Sequence, residues 1–256
     1  MGKIVSFANQ KGGVGKTTTC VNMSAYLASM GKKCLLIDLD AQGSASTGLG
    51  VDKTATNPTT YNVLIDETPI TDGIISTKID NLYILPASVD LAGAEVELVY
   101  VSHRETVLKR ALCEIIADYD YILIDCPPSL GLLTINALTA SDSVIIPLQS
   151  EYYALEGLAQ LLNSIKLVNQ HLNPRLQVEG VVLTMNDARS VMSREISAEI
   201  RKYFGERAYQ TAIPRNVRLA EAPSHGLPIM LHDKNASGAK AYFALTQEFL
   251  KNQSDG

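Results

Sequence analysis

Six short apolar runs punctuate the chain: KIVSFAN (3–9), KCLLIDLD (33–40), LYILPA (82–87), YILIDCP (121–127), SVIIPL (143–148) and VEGVVLT (178–184). Their near-continuous hydrophobicity and β-branched content predict strands buried on both faces. Between them lie segments with helical spacing, over 16–30, 104–117, 130–140, 153–171 and 191–204, and a last one over about 236–251. Strands alternating with helices predict an α/β fold: a doubly wound, mainly parallel sheet with helices on both faces. One domain spanning residues 1–256 suits this length. Residues 52–60 read as the most loop-like stretch, and the polar tail after the last helix reads as frayed.

Composition narrows the picture. Hydrophobic residues make up 46% of the chain and there is no tryptophan, so the core must be mostly aliphatic. The net charge of −5 argues, on average, against a nucleic-acid partner. Cys20, Cys34, Cys113 and Cys126 form no C-x-x-C pair, so buried thiols in a reducing compartment are expected rather than zinc ligands or disulfides. No apolar run approaches the ~20 residues that span a bilayer, and no signal-peptide pattern is visible. MGKIVS fits a myristoylation pattern, but those residues are needed in the first strand.

Parallel sheets bind ligands beyond the carboxyl ends of their strands. The first strand runs straight into QKGGVGKTT, and a helix follows from about Lys16 to a C-cap at Gly31. This is the strand–loop–helix context of a phosphate loop. The usual pattern is G-x-x-x-x-G-K-[ST], but Gln10 stands where its first glycine belongs, and a second lysine, Lys11, follows. Gly12, Gly13 and Gly15 let successive backbone N–H groups turn toward one anion, helped by the helix N-terminus. Val14 and Thr18 belong to the same nucleotide-binding run. Lys16 is expected to reach the β- and γ-phosphates of ATP, and the Thr17 hydroxyl to ligate Mg²⁺. YILID places Asp125 at a strand end in a Walker-B arrangement, which delivers a carboxylate to the Mg²⁺ shell. CLLIDLDAQGS places Asp38 and Asp40 at the end of another strand, where a carboxylate can orient an attacking water. Taken alone, each aspartate also fits an ordinary strand-end turn.

KGGVGKTT, LLIDLDAQGS, YILIDCPPSLG, EYYALEG and IPRNVRLAEAPSHG, in that order, resemble the ParA/Soj family of partition ATPases, a branch of the deviant-Walker P-loop class that includes MinD. The resemblance covers about residues 3–250. It implies that Lys11 crosses a homodimer interface to the partner's phosphates, and that Gly12 leaves room for the partner's loop. It implies a catalytic role for Asp40 with Lys11 and Lys16, a Mg²⁺-linked role for Asp125, and an adenine site at Pro214–Arg215–Asn216. The family's D-P-Q-G loop here has Ala41 in place of proline, which loosens the loop without removing a reactive side chain. The implied function is an ATP-dependent dimerising switch for chromosome or plasmid segregation. It would be slow in intrinsic turnover and stimulated by a ParB-type partner, with a possible replication-initiation role. The implied location is the nucleoid in the cytoplasm.

Residues 189–218 carry seven basic side chains, Arg189, Arg194, Arg201, Lys202, Arg207, Arg215 and Arg218, against Glu195, Glu199 and Glu206. A basic segment inside an acidic chain is a footprint of phosphate binding, although a solvated helix face gives the same pattern. The resemblance singles out Arg189 and Arg218 for non-specific double-stranded DNA. The alternative is a MinD-like membrane-cycling ATPase. AKAYFALTQEFLKNQ sets Tyr242, Phe243, Leu245, Phe249 and Leu250 near one side, but its bases are few for a membrane-surface helix, and docking on the sheet is expected instead. A small-molecule phosphotransferase would leave Lys11 without a role, and a scaffold would leave Asp40 and Asp125 without one.

Overall fold

The computed structural model describes residues 2–52, 58–151, 154–187 and 189–254. Its strands are β1 (Lys3–Phe7), β2 (Cys34–Asp38), β3 (Ile75–Ser76), β4 (Leu82–Leu85), β5 (Tyr121–Asp125), β6 (Ser143–Gln149) and β7 (Gln177–Thr184). They form one seven-stranded sheet in the order β3-β4-β2-β5-β1-β6-β7. All pairings are parallel except β3 with β4. The chain leaves β1 past β5 to reach β2, and later leaves β5 past β1 to reach β6. The two crossovers diverge around β1 and β5, opening a crevice at their carboxyl ends.

Strand alternation divides the core in two. Ile4, Leu35, Ile37, Ile122, Ile124, Val144 and Ile146 face one layer. It is covered by the helices Leu91–Glu97, Val107–Cys113, Leu132–Ala140, Ala154–His171 and Val191–Phe204. Val5, Phe7, Leu36, Leu123 and Ile145 face the other, beneath the helices Lys16–Ser29 and Ser237–Ser254. Burial on both faces explains why the strands read as continuous apolar runs rather than alternating ones. The helix Lys16–Ser29 ends in a Schellman motif: Gly31 sits at φ 84° and donates to the Ala28 carbonyl, while Lys32 donates to that of Leu27.

The last helix docks as expected. Tyr242, Leu245 and Phe249 are buried in the second core, and the Tyr26 hydroxyl donates to the Ala239 carbonyl at 2.8 Å. Phe243 remains exposed on its outer side and stacks edge-on against Tyr26. The polar end is not frayed at 251. The helix continues to Ser254 because Gln253 joins Lys3 and Glu179 in a hydrogen-bonded cluster.

Other differences have local causes. The expected helix over 104–117 is α-helical only from Val107 to Cys113, with 3₁₀ turns on either side. At its start Asn136 takes the place of helical partners: its Oδ1 accepts from the Leu108 N–H at 3.2 Å and its Nδ2 donates to the Arg104 carbonyl at 2.7 Å. The short elements β3, Thr60–Ile65 and Leu91–Glu97 carry too few residues to show a period in sequence. Most of the loop-like stretch 52–60 lies outside the described residues, but Thr60 already begins a helix, capped by Thr59 with Asn62. Three thiols are buried, whereas Cys113 is exposed at the end of its helix. Among the described residues no helix is long and apolar enough to cross a membrane.

Leu36 lies fully buried in the middle of β2, with the helix Lys16–Ser29 packed over its face of the sheet. Leu36→Ala should lower stability by about 2–5 kcal/mol, read from urea denaturation followed by circular dichroism.

Candidate nucleotide site

The register of the sheet builds the site. Phe7 of β1 and Asp38 of β2 both pair with Asp125 of β5, so three strand ends finish level with one another. Residues 8–15 leave β1 and arch over these ends before the helix begins at Lys16. The arch is braced from both sides. Asn9 donates through Nδ2 to the Pro147 carbonyl at 2.7 Å and accepts from the Lys11 N–H at 3.0 Å. The Thr184 hydroxyl at the end of β7 donates to the Val14 carbonyl at 2.7 Å. Gly13 and Gly15 have φ of 73° and 84°, in the left-handed region that favours glycine.

Lys16 is buried under the arch, and its ammonium donates to the Lys11 carbonyl at 3.2 Å. Burial lowers its pKa, while Asp125, Cys126 and Asp40 work in the opposite direction. Asp125 is completely buried, and neither of its carboxylate oxygens has a hydrogen-bond partner. Burial, and then Asp38, push its pKa well up; Thr17 and Lys16 pull the other way from nearby. Asp38 is equally buried but well satisfied. Its Oδ2 accepts from the backbone N–H and the hydroxyl of Ser46, both at 2.8 Å, and its Oδ1 from the Asp40 N–H at 3.2 Å. Burial nevertheless raises its pKa to about 6.

A buried, unpartnered carboxylate next to a threonine hydroxyl is a donor set for a hard divalent cation. Thr17 and Asp125 therefore fit Mg²⁺, which would neutralise phosphate charge at that position. Asp40 stands slightly further out, half-exposed, with its Oδ1 accepting from the Gln42 N–H at 2.9 Å. It lines a cleft of about 340 Å³ together with Gly12, Gly13, Gly15, Lys16 and Thr17. A second hollow of about 290 Å³ shares Gly15, Thr18 and Met185 with the first and is walled by Pro214, Arg215 and Asn216. The wall is held there by the backbone: Ile213 donates to Leu183 at 2.8 Å, and Asn186 donates to Ile213 at 2.9 Å. The Asn216 side chain caps the short helix Val217–Glu221 and donates to the Ser237 hydroxyl at 2.7 Å. The two hollows thus adjoin along Gly15, Thr18 and Met185.

A family model described as an AAA domain matches residues 2–178. The sporulation initiation inhibitor protein Soj of Bacillus subtilis is 56% identical over 252 residues, covering 98% of this chain and all of that protein. The chromosome partitioning protein ParA of Myxococcus xanthus is 50% identical over 254 residues, covering 99% and 90% respectively. This chain belongs to the ParA/Soj family of chromosome-partitioning ATPases. Among solved structures, cobyrinic acid a,c-diamide synthase from Mycobacterium smegmatis with bound ADP and magnesium superposes with a TM-score of 0.85 at 36% identity, covering 99% of this chain and 96% of that one. The ParA/Soj chain is an ATPase, with ATP and Mg²⁺ as its cofactors.

The remaining residues named from sequence fall at the rim of the ParA/Soj site or away from it. Lys11 is exposed, and its ammonium is ion-paired with Glu151. Gly12 is exposed too, and a Cβ there would meet only Pro128, at 4.0 Å. Arg189 and Arg218 lie on the solvent face of 189–218, where all seven basic side chains are exposed. Each already holds an acid: Arg189 pairs with Asp187 at 3.2 Å, and Arg218 with Glu221 at 2.8 Å and Asp233 at 3.7 Å. Sequence reasoning gave no role to Asn9, Glu151 or Thr184. Glu151 stands inside the recognised EYYALEG stretch. Asn9 and Thr184 each sit where a strand gives way to a loop, the position from which a short polar side chain can reach neighbouring backbone.

Asp38 and Asp125 bind protons more tightly in the folded chain than in the unfolded one, where carboxyls ionise near pH 4. Without Mg²⁺ and nucleotide, their contribution to stability is greatest below about pH 4 and is lost as pH rises through about 6 and beyond. Asp125→Asn should therefore stabilise the Mg²⁺-free protein at pH 7.5 by about 1–3 kcal/mol, and the gain should shrink toward pH 4. Urea midpoints of both proteins across this range check the sign.

Proposed function

We propose that this ATPase is a dimerisation switch: ATP and Mg²⁺ close two copies face to face, and the closed pair holds DNA without reading its sequence. The observation that carries the proposal is the contrast between the two lysines. Lys16 is buried and committed to its own phosphate site, whereas Lys11 projects outward beside Gly12. Among the described residues nothing requires glycine at position 12, because its φ is not left-handed and a Cβ would meet only Pro128, at 4.0 Å. The requirement belongs to whatever approaches from outside, and a second phosphate loop fits. Two facing nucleotides repel each other, and a lysine inserted from each copy offsets that repulsion. In the free chain Glu151 occupies Lys11, so closure exchanges a carboxylate for a phosphate.

The roles then divide along the geometry. Lys16 and the loop N–H groups bind the phosphates; Thr17 and Asp125 hold the cation; Asp40 orients the attacking water. Pro214, Arg215 and Asn216 wall the base. Arg189 and Arg218 supply phosphate contacts to DNA, with four such side chains per dimer, exchanging their own acids for DNA phosphate. A ParB-type protein stimulates turnover and releases the DNA. A contribution to replication control, and a location on the nucleoid, are compatible with this cycle. The membrane-cycling reading has less support, since the apolar face of the last helix is spent in the core.

Sedimentation and phosphate release separate the steps. Lys16→Ala should lose nucleotide-dependent behaviour. Gly12→Val should bind ATP but stay monomeric. Asp40→Ala should dimerise and bind DNA while turnover falls by about two orders of magnitude or more. A dimeric Gly12→Val protein, or wild-type turnover in Asp40→Ala, would sink the corresponding assignment.

DNA binding by the ATP-bound protein should fall with salt on a log–log slope of roughly −0.9 × 4. Arg218→Ala should reduce the slope by about two, since each dimer loses two phosphate contacts. Equal affinity with ATP and ADP would contradict the switch.

A further inference from the structure

Tyr242 projects from the last helix, Ser237–Ser254, into the second core, and its hydroxyl lies 3.1 Å from that of Thr19 in the helix Lys16–Ser29. Both side chains are buried. The Thr19 hydroxyl also lies 2.7 Å from the Gly15 carbonyl. A carbonyl can only accept, so the single Thr19 hydroxyl proton goes to Gly15. Tyr242 must then donate to the Thr19 oxygen. Burial pushes the Tyr242 pKa up, which keeps that proton in place. The donors run one way, from Tyr242 to Thr19 to Gly15.

A threonine that bonds the carbonyl four residues back is common inside helices. Here the carbonyl belongs to the residue at the helix start. Gly15 stands at the N-cap in the left-handed region, with φ 84° and ψ 25°. Its oxygen also accepts from the Thr19 N–H at 2.9 Å, so both of its lone pairs are taken. The same peptide unit carries the Lys16 N–H. In a trans peptide the C=O and N–H point in opposite directions. Holding the Gly15 carbonyl down the helix therefore aims the Lys16 N–H out of the helix end, where the cleft lined by Gly15, Lys16 and Thr17 lies. Unpaired N–H groups at that end are what an anion meets. Tyr242 also lines the second hollow, with Gly15, Pro214, Arg215 and Asn216. One side chain thus walls the space read as the base site and, through Thr19, reaches the carbonyl that orients the phosphate loop.

We propose that Tyr242 is a positioning residue for nucleotide binding: its hydroxyl, acting through Thr19, sets the Gly15–Lys16 peptide for the phosphates. The inference rests on the phosphate-loop reading of residues 11–17. Tyr242 need not touch phosphate. It holds the loop ready before the ligand arrives, which lowers the ordering cost of binding. The last helix in this way serves the phosphate site from 223 residues along the chain. Tyr26 provides a control within the same pair of helices. It donates to the Ala239 carbonyl at 2.8 Å, but it stands further down the helix Lys16–Ser29, away from Gly15.

The test measures Kd on the intact chain by competition against a fluorescent ATP analogue, once for ATP and once for tripolyphosphate, both with Mg²⁺. Tyr242→Phe should weaken both ligands by about three- to tenfold. Thr19→Val should do the same with the tyrosine intact, and the double variant should bind no more weakly than the worse single one. Thr19→Ser keeps the hydroxyl and should stay within about twofold of the wild type. Tyr26→Phe should also stay within about twofold, even where its urea midpoint falls as far as that of Tyr242→Phe. A loss for ATP but not for tripolyphosphate makes Tyr242 a wall of the base hollow alone and overturns the positioning role. An equal loss in Tyr26→Phe reports helix docking and overturns it too, as do additive losses in the double variant. Lys16→Ala separates the two levels. If it still binds both ligands, the phosphate-loop reading fails. If it binds neither while Tyr242→Phe binds as the wild type does, only the positioning role fails.

Discussion

Two carboxylates and one ammonium are held out of water at the carboxyl ends of three adjacent strands, and the site depends on that arrangement. Strand register alone brings Asp38 and Asp125 level. Burial then works against the charge of all three groups, raising both carboxyl pKa values and lowering that of Lys16. The protein does not resolve this internally. Asp38 is satisfied by Ser46 and the Asp40 N–H, but Asp125 is left with bare oxygens. An unsatisfied buried carboxyl next to a braced phosphate loop suits a site that a cation and a polyanion enter together. Binding energy then offsets the cost of holding these groups out of water.

That arrangement also accounts for what sequence could and could not disclose. The strands, the long helices and the phosphate loop were legible because each rests on local chemistry: apolar runs, helical spacing, and glycines where φ must be positive. Asp125 was legible because a carboxylate ending an apolar run has few uses. The braces were not. Asn9 and Thr184 act across 138 and 170 residues of sequence to reach Pro147 and Val14, and nothing local marks such partners. Glu151 was seen within a recognised stretch, but its pairing with Lys11 depends on how the loop after β6 folds back. The tail after residue 251 misled for a similar reason. Its polarity suggested fraying, while Gln253 is tied to Lys3 at the other end of the chain.

The basic segment shows what a net charge averages away. A chain of −5 carries seven exposed bases between 189 and 218, and two of the most interesting, Arg189 and Arg218, are neutralised locally by Asp187, Glu221 and Asp233. Pairs this exposed are weak, because water and salt screen them. They set a low threshold for the proposed exchange with DNA phosphate, which several arginines acting together can cross and one alone crosses poorly. Proposed dimerisation doubles the number without creating a contact.

The second lysine follows the same logic of exchange. Lys11 and Lys16 are five residues apart, yet one is exposed beside a carboxylate and the other buried beneath the loop backbone. Under the proposed switch they serve different nucleotides: Lys16 stays beneath its own loop, while the Lys11 ammonium faces outward to Glu151. The openness around Gly12 makes the same point from the backbone. A residue that its own chain leaves unconstrained, in a loop otherwise fixed at Asn9, Val14 and Lys16, is constrained by a neighbour or not at all. If the Lys11–Glu151 pair must open before two copies can meet, Glu151→Gln should favour the ATP dimer, because the competing carboxylate is gone while Lys11 keeps its charge. Sedimentation at limiting ATP would show the dimer at lower protein concentration than in the wild type; a dimer weakened by Glu151→Gln would mean instead that the carboxylate helps to hold the closed pair together.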